Sequence, residues 1–166
     1  MNIMNIEHIS KIFGEKTIFD DASIGIQEGD KIGIVGINGT GKSTLLRMIA
    51  GDEVPDSGNI IRQNQLKLAW LPQEPKFPEN ATILSYAGDD ETGWKVQSNL
   101  SQLGIMDYSM PIDQLSGGQK RKVALAKVLA QDFDVLLLDE PTNHLDSAMI
   151  RWLEDYLKNF RGTILM

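Results

Sequence analysis

The chain has 166 residues, which is about the size of a single domain. Its 16 Lys and Arg residues against 23 Asp and Glu give a net charge of −7, so the general surface is not expected to hold nucleic acid by bulk charge. Hydrophobic residues make up 42% of the chain, which excludes a disordered class, and the absence of cysteine excludes disulfide scaffolds and thiolate metal sites. Without a secretory signal pattern or an apolar run near the roughly 20 residues that span a bilayer, we expect one soluble, cytoplasmic domain.

Short strands dominate the first third of the chain. Residues 5–9 and 22–27 alternate apolar and polar side chains, which predicts an antiparallel sheet with one solvated face. Residues 31–36 (KIGIVG) form a continuous apolar run, which predicts a buried parallel strand. Residues 58–62 and 66–71 are predicted to be further short strands.

The middle of the chain has a different character. Several prolines and an acidic loop at residues 89–91 accompany two helical windows, near residues 81–87 and 95–103. We interpret this stretch, at about residues 74–130, as a small helical insert in an α/β core.

The last third returns to alternating strands and helices. Residues 135–138 (VLLL) are predicted to be a buried strand, and residues 163–166 (TILM) begin another. Between them, a helix is predicted from four apolar residues that share one face: Ile150, Leu153, Leu157 and Phe160. The predicted fold class is therefore α/β, with a mostly parallel sheet, an N-terminal antiparallel β-subdomain and a small helical insert.

A glycine-rich loop follows the apolar run at residues 31–36. Residues 36–43 (GINGTGKS) fit the pattern G-x-x-x-x-G-K-[ST], in which glycines let backbone N–H groups form a nest for phosphate oxygens. Lys42 supplies a cation for the β- and γ-phosphates, and the hydroxyl of Ser43 is a predicted Mg²⁺ ligand. The sequence thus predicts a P-loop NTPase core. The predicted ATP contacts in this loop are Gly36, Asn38, Gly39, Thr40, Gly41, Lys42, Ser43 and Thr44.

Two acidic residues come directly after residues 135–138. A carboxylate at the C-terminal edge of a buried strand lies where open α/β sheets bind their ligands. Asp139 is therefore predicted to hold Mg²⁺, directly or through water. Glu140 is predicted to point toward the γ-phosphate and to polarise the attacking water, as the catalytic residue.

The run LSGGQ at residues 115–119 completes a set of three motifs. Two glycines and a serine at the start of a helix make a second anion cradle, one without a lysine of its own. Together with the P-loop and the strand that ends in Asp139, this run resembles the signature of the ATP-binding cassette (ABC) ATPases. The resemblance implies that two cassettes pack head to tail, each signature closing the other's P-loop. The residues that would contact ATP in trans are Ser116, Gly117, Gly118 and Gln119.

The resemblance also implies roles for three single residues. Gln73 matches the Q-loop glutamine, which senses Mg²⁺, and is assigned with Ser43 and Asp139 to the metal site. Phe13 occupies the A-loop place, where an aromatic ring stacks on adenine, although it could also be a core residue of the edge sheet. Asp146 matches the D-loop aspartate that touches the partner cassette, and it could also cap the helix that follows.

Residues 141–146 (PTNHLD) narrow the resemblance to subfamily F of the ABC proteins, and to the first of two cassettes in one chain. The resemblance implies a soluble ATPase whose second cassette lies in the same chain or in a homodimer. Many members act on the ribosome, which this protein would contact through parts outside the 166 residues, with no insertion into a membrane. Residues 120–122 (KRK) are interpreted as a solvated helix face.

The sequence departs from the family pattern in two places. It stops before the switch histidine that the family places after the strand beginning at residue 163, so we expect a single cassette cut short before that residue. The helical insert also looks shorter than is usual. Two alternatives to the favoured function remain: the ATPase subunit of a membrane transporter, and a fragment that binds ATP without appreciable hydrolysis.

Overall fold

The computed structural model describes residues 1–36, 41–88 and 90–166. The strands are β1 (Asn2–Phe13), β2 (Lys16–Gln27), β3 (Lys31–Ile32), β4 (Ser57–Arg62), β5 (Leu68–Leu71), β6 (Val135–Leu138) and β7 (Thr163–Leu165). The helices are α1 (Lys42–Ala50), α2 (Ile83–Ala87), α3 (Glu91–Gln102), α4 (Gly117–Ala130) and α5 (Ser147–Asn159), with a 3₁₀ turn at Ile112–Gln114.

The described residues divide into two compact units. The first, called the sheet unit, contains Met1–Gln73, Phe133–Asp139 and Arg161–Met166. The second, called the helical unit, contains Glu74–Asp132 and Glu140–Phe160.

The sheet unit contains two β-sheets. One is antiparallel with the strand order β2-β1-β4, and the other is parallel with the order β3-β7-β6-β5. All four residues of β6 are fully buried, as a continuous apolar strand between two neighbours should be. Side chains from β1, β2, α1, β6 and β7 form one core, whose members include Ile6, Ile9, Ile26, Leu46, Ile49, Val135, Leu137 and Leu165.

In the helical unit, α3 packs against α4. Val96 and Leu100 form the buried face of α3, and the side-chain amide of Asn99 donates a 3.1 Å hydrogen bond to the carbonyl of Ala126 in α4. On α5, the buried residues are Met149 and Leu153. The indole of Trp152 joins α5 to α3 by donating a 3.0 Å hydrogen bond to the side chain of Gln102. No helix within the described ranges is long and apolar enough to cross a membrane.

The α/β fold class predicted from the sequence is confirmed, including the antiparallel N-terminal sheet and the parallel sheet. The prediction of a buried strand over residues 31–36 is wrong in length and in burial, because β3 ends at Ile32 and Val35 is 93% exposed. The physical reason is that β3 lies at the edge of its sheet. Among the described residues it pairs with the three-residue β7 alone, so its ladder is short. Lys31 is exposed and Ile32 is half-buried.

The burial of the apolar residues of α5 differs among the positions predicted to share one face. Of the four residues predicted to share one face, Leu153 is buried, and Ile150, Leu157 and Phe160 are half-buried. Met149, which was not among them, is also buried. The degree of burial of each side chain on α5 cannot be predicted from spacing alone, because it depends on which other element lies against that face.

Candidate functional site

The end of the glycine-rich loop is the N-cap of α1. Gly41 has a φ of +97°, in the left-handed region that favours glycine, and a Cβ atom there would overlap the side chain of Ile18. A residue other than glycine would therefore strain the backbone and displace the side chain of Ile18. The predicted contacts Asn38, Gly39 and Thr40 lie outside the described residues.

The other phosphate-loop residues begin the helix. Lys42, Ser43 and Thr44 are the first three residues of α1, and Thr44 is buried. This first turn contains no acidic residue that would neutralise the positive end of the helix dipole. A cationic side chain and backbone N–H groups at a helix N-terminus are suited to bind phosphate.

A side-chain oxygen at this helix start lies near the side chain of Gln73. Ser43 Oγ is 3.5 Å from Gln73 Oε1. Gln73 is the second residue after β5, and Asp139 is the first residue after β6. The two strands are paired along their whole length. The Asp139 amide extends this pairing by donating a 3.0 Å hydrogen bond to the Leu71 carbonyl. A hydroxyl, an amide oxygen and a carboxylate are hard ligands that suit Mg²⁺, so these residues fit the predicted metal.

Asp139 is only 4% exposed although it carries a carboxylate. It is the first residue after a fully buried strand, at the edge of the parallel sheet where ligands of such sheets bind. A bound cation would lower the cost of burying this charge further.

The backbone at Glu140 is strained. Its φ is +46°, in the left-handed region that L-residues rarely adopt. Its carbonyl accepts two hydrogen bonds, from Arg121 Nη2 at 3.0 Å and from the Asn143 amide at 3.1 Å. These contacts fix the turn that carries the Glu140 side chain.

Arg121 is a residue whose position sequence reasoning missed. It is 4% exposed, so the prediction that residues 120–122 form a solvated face is wrong for this residue. A signal was present in the sequence: Arg121 precedes Leu125 by four residues and Val128 by seven, which places it on the apolar stripe of α4. Its hydrogen bond to Glu140 explains why a cation is accommodated there.

The signature residues belong to the helical unit, whereas the phosphate loop, Gln73 and Asp139 belong to the sheet unit. Ser116 is the N-cap of α4 and forms a capping box: its hydroxyl accepts from the Gln119 amide at 3.2 Å, and Gln119 Oε1 accepts from the Ser116 amide at 3.0 Å. Ser116 and Gln119 are exposed, and Gly117 and Gly118 form the first turn between them. The start of a 14-residue helix thus faces solvent with its polar groups in a fixed arrangement.

The start of α4 also lies close to the loop that contains Asp146. A Cβ atom on Gly118 would be 3.1 Å from the carbonyl oxygen of His144. Lys122 Nζ is 3.4 Å from an oxygen of Asp146. The other oxygen of Asp146 accepts a 2.8 Å hydrogen bond from the Met149 amide, so this side chain caps α5, as one of its two predicted roles required. That backbone hydrogen bond lowers the pKa of Asp146, and Lys122 lowers it further.

Phe13 lies at the end of β1 and is 43% exposed, so it is not a core residue of the edge sheet. Lys11 Nζ is 5.2 Å from the centroid of its ring. The aromatic surface required for base stacking is therefore accessible, and one cation already lies against it.

The fold and the phosphate-loop motif define an α/β domain of the P-loop NTPase class. The sequence profile of the ABC transporter family matches residues 19–143, and the chain belongs to this family as an ABC ATPase domain. Domains of this kind bind ATP, generally with Mg²⁺, and pair with a second cassette.

Known relatives agree with this assignment. The chain is 36% identical to the uncharacterized ABC transporter ATP-binding protein YfmR of Bacillus subtilis (strain 168), with 100% of this chain and 33% of that protein covered. It is 39% identical to the ribosome protection protein VmlR of the same organism, with 99% and 28% covered. These relatives confirm the resemblance to subfamily F. The chain therefore spans about a third of the length of the curated relatives it matches.

Among solved structures, the ATP-binding subunit of an ABC transporter superposes with a TM-score of 0.84, at 22% identity, over 98% of this chain and 78% of that one. This likeness concerns the fold.

The alignment with YfmR has 210 positions for a chain of 166 residues, so YfmR carries additional residues inside the matched region. The alignment with VmlR has 165 positions and shows no comparable addition. VmlR thus matches this chain without the additional residues that YfmR carries in the matched region.

Proposed function

We propose that this chain binds ATP in its sheet unit and hydrolyses it with Mg²⁺ when a second cassette supplies its signature. The observation that supports this most is the approach of Ser43 Oγ to Gln73 Oε1, at 3.5 Å, beside the helix start that carries Lys42. The groups that we propose for phosphate binding and for metal binding thus belong to one unit. A structural βα turn has no need of either group.

The roles follow from the chemistry of each side chain. The N-terminus of α1 and the ammonium group of Lys42 neutralise the phosphate charge, and the accessible ring of Phe13 stacks on adenine. Ser43, Gln73 and Asp139 would hold Mg²⁺, which neutralises charge on the β- and γ-phosphates when bound.

Glu140 is the proposed general base. Its carboxylate accepts a proton from the attacking water as the bond from water to the γ-phosphorus forms, and the terminal oxygen of ADP leaves with the electron pair of the broken bond. The hydrogen bond from Arg121 to the Glu140 carbonyl fixes the backbone that carries this carboxylate. Most of the rate comes from positioning and electrostatic stabilisation of the transferring group.

The partner's signature completes the site. In return, the start of α4 in this chain would contact the nucleotide of the partner cassette. The contacting groups are the exposed Ser116 hydroxyl and the first-turn amides, which are fixed by the capping box with Gln119. Closure of the two cassettes around ATP would be the mechanical output. We further propose that the closed pair acts on the ribosome in the cytoplasm, since the relative VmlR is named a ribosome protection protein. With a net charge of −7, this chain would leave contact with RNA to other parts of the protein.

The experiment is a Glu140→Gln substitution in the full-length protein. Without the base, ATP should persist in the closed pair, and more than tenfold slower turnover should accompany nucleotide that stays bound through gel filtration. The matched control is Glu154→Gln, at an exposed position of α5. Turnover of the Glu140→Gln protein equal to that of the control would contradict the assignment of Glu140.

A further inference from the structure

An ion-pair cluster around the buried Lys11 lies next to Phe13. Lys11 is only 8% exposed, although a lysine on a sheet normally extends into solvent. Its ammonium group is 2.9 Å from Glu53 Oε1 and 3.5 Å from Asp56 Oδ1, and it donates a 2.7 Å hydrogen bond to the Val54 carbonyl. Hydrogen bonding to Glu53 raises the pKa of Lys11, so the group stays charged across the physiological pH range.

Asp56 also fixes the backbone that leads to Phe13. Its second oxygen accepts a 2.8 Å hydrogen bond from the amide of Ile12, and its own amide donates a 2.8 Å hydrogen bond to the carbonyl of Ser10. The turn before β4 is therefore attached to the residues on both sides of Lys11. The end of β1 is held by backbone and side-chain contacts together.

The ammonium group of Lys11 lies over the ring of Phe13, 5.2 Å from its centroid. A cation on one face attracts the π electrons of the ring and limits its rotation. Because the ring is 43% exposed, a substantial part of it remains open to a ligand. An aromatic ring that is already fixed before binding loses less conformational freedom when a base stacks on it.

We propose that Lys11, held by Glu53 and Asp56, is a positioning residue for base stacking, and that it determines how much the adenine contributes to nucleotide affinity. This inference rests on the proposed function, in which Phe13 stacks on adenine. The proposal predicts different effects on binding of the base and of the phosphates. The cluster around Lys11 lies at the end of β1, whereas Lys42 and Ser43 lie at the start of α1. Loss of Lys11 should therefore weaken a ligand that has a base, and spare one that has only phosphates.

The experiment compares ATP with inorganic tripolyphosphate, by calorimetric titration of each into the 166-residue chain with Mg²⁺. Lys11→Met keeps an unbranched side chain of similar length and removes the charge. We expect the affinity for ATP to fall about threefold to tenfold, and the affinity for tripolyphosphate to change less than about twofold. Lys11→Arg keeps a cation for the two carboxylates, so it should recover most of the ATP affinity. Lys95→Met, at an exposed position of α3, is the matched control and should change neither affinity.

The possible results distinguish the positioning role of Lys11 from the stacking role of Phe13. An equal loss for both ligands, or a loss for neither, would overturn the positioning role of Lys11. If Lys11→Met does not fold, Glu53→Gln removes the nearest carboxylate charge instead, and about a twofold to fivefold loss for ATP alone is expected. Phe13→Ala tests the underlying assignment: it should weaken ATP binding about tenfold and spare tripolyphosphate. If Phe13→Ala changes neither affinity, the stacking role fails for Phe13 itself, independently of Lys11.

Discussion

The strained backbone at Glu140 should reverse the usual effect of glycine and alanine on stability. We expect glycine to be more stabilising than alanine at this position. At most positions, replacing glycine by alanine stabilises a protein by about 0.4–1 kcal/mol, because alanine restricts the unfolded chain. At a φ of +46°, however, alanine carries the left-handed penalty of about 1–2 kcal/mol, which glycine does not. The difference between these two terms leaves Glu140→Gly more stable than Glu140→Ala by about 0.5–1 kcal/mol.

Glu154 provides the matched comparison. It lies in the interior of α5 and is exposed, so the ordinary helical preference applies there. We expect Glu154→Gly to be less stable than Glu154→Ala by about 1 kcal/mol. Both pairs compare glycine with alanine. We expect the glycine variant to be the more stable one at position 140 and the alanine variant to be the more stable one at position 154.

The assay is thermal and urea denaturation followed by far-ultraviolet circular dichroism. For a chain of this size, 1 kcal/mol corresponds to about 2–4 °C in Tm. Glu140→Gly should therefore melt about 1–4 °C above Glu140→Ala, and Glu154→Gly about 2–4 °C below Glu154→Ala. If the alanine variant is the more stable at both positions, Glu140 is not held in a strained conformation and the account of its turn is refuted.

Three further predictions concern the caps and the core. Ser116→Ala removes the capping box of α4 and should cost about 1 kcal/mol in urea denaturation, whereas Ser116→Asp keeps an acceptor and should lose less; equal losses would contradict the capping role. Leu137→Ala leaves a cavity in the fully buried strand β6 and should cost about 2–5 kcal/mol, so a Tm within 2 °C of the unmodified chain would disprove the core assignment. Because the pKa of Asp146 is lowered in the folded state, its charged form stabilises the protein above its ordinary value of 3.8, and this contribution is lost as pH falls through the lower, folded-state pKa. The Tm advantage over Asp146→Asn should thus be full at pH 6 and should decrease as pH falls below 3.8, and a constant advantage in melts from pH 2 to pH 7 would contradict it.

Elements defined by local patterns could be predicted from the sequence. The continuous apolar run of β6 has the same bounds in the sequence and in the structure, and Ser116 and Asp146 cap helices that begin one residue later. Both signals lie within a few neighbouring residues. The exposed edge position of β3 could not be predicted in this way, because it depends on pairing with β7 more than a hundred residues away in the sequence.

The same distinction applies to the candidate site. The phosphate loop, Gln73 and Asp139 could be named from motifs, and the structure then shows Ser43 beside Gln73. The cluster around Lys11 joins residues 42 and 45 positions apart, so no local pattern connects them. Burial of such a cation is decided by the carboxylates that the turn before β4 brings to it.

The most direct test of the central claim is a calorimetric titration of Mg²⁺ and ATP into the 166-residue chain and into its Lys42→Ala variant. The account predicts saturable binding of one ATP per chain, with a Kd on the order of micromolar, and no detectable binding by Lys42→Ala. Lys95→Ala should bind as the unmodified chain does, because that position is exposed on α3. Absence of binding by the unmodified chain, or equal micromolar binding by Lys42→Ala, would contradict the assignment of the phosphate loop.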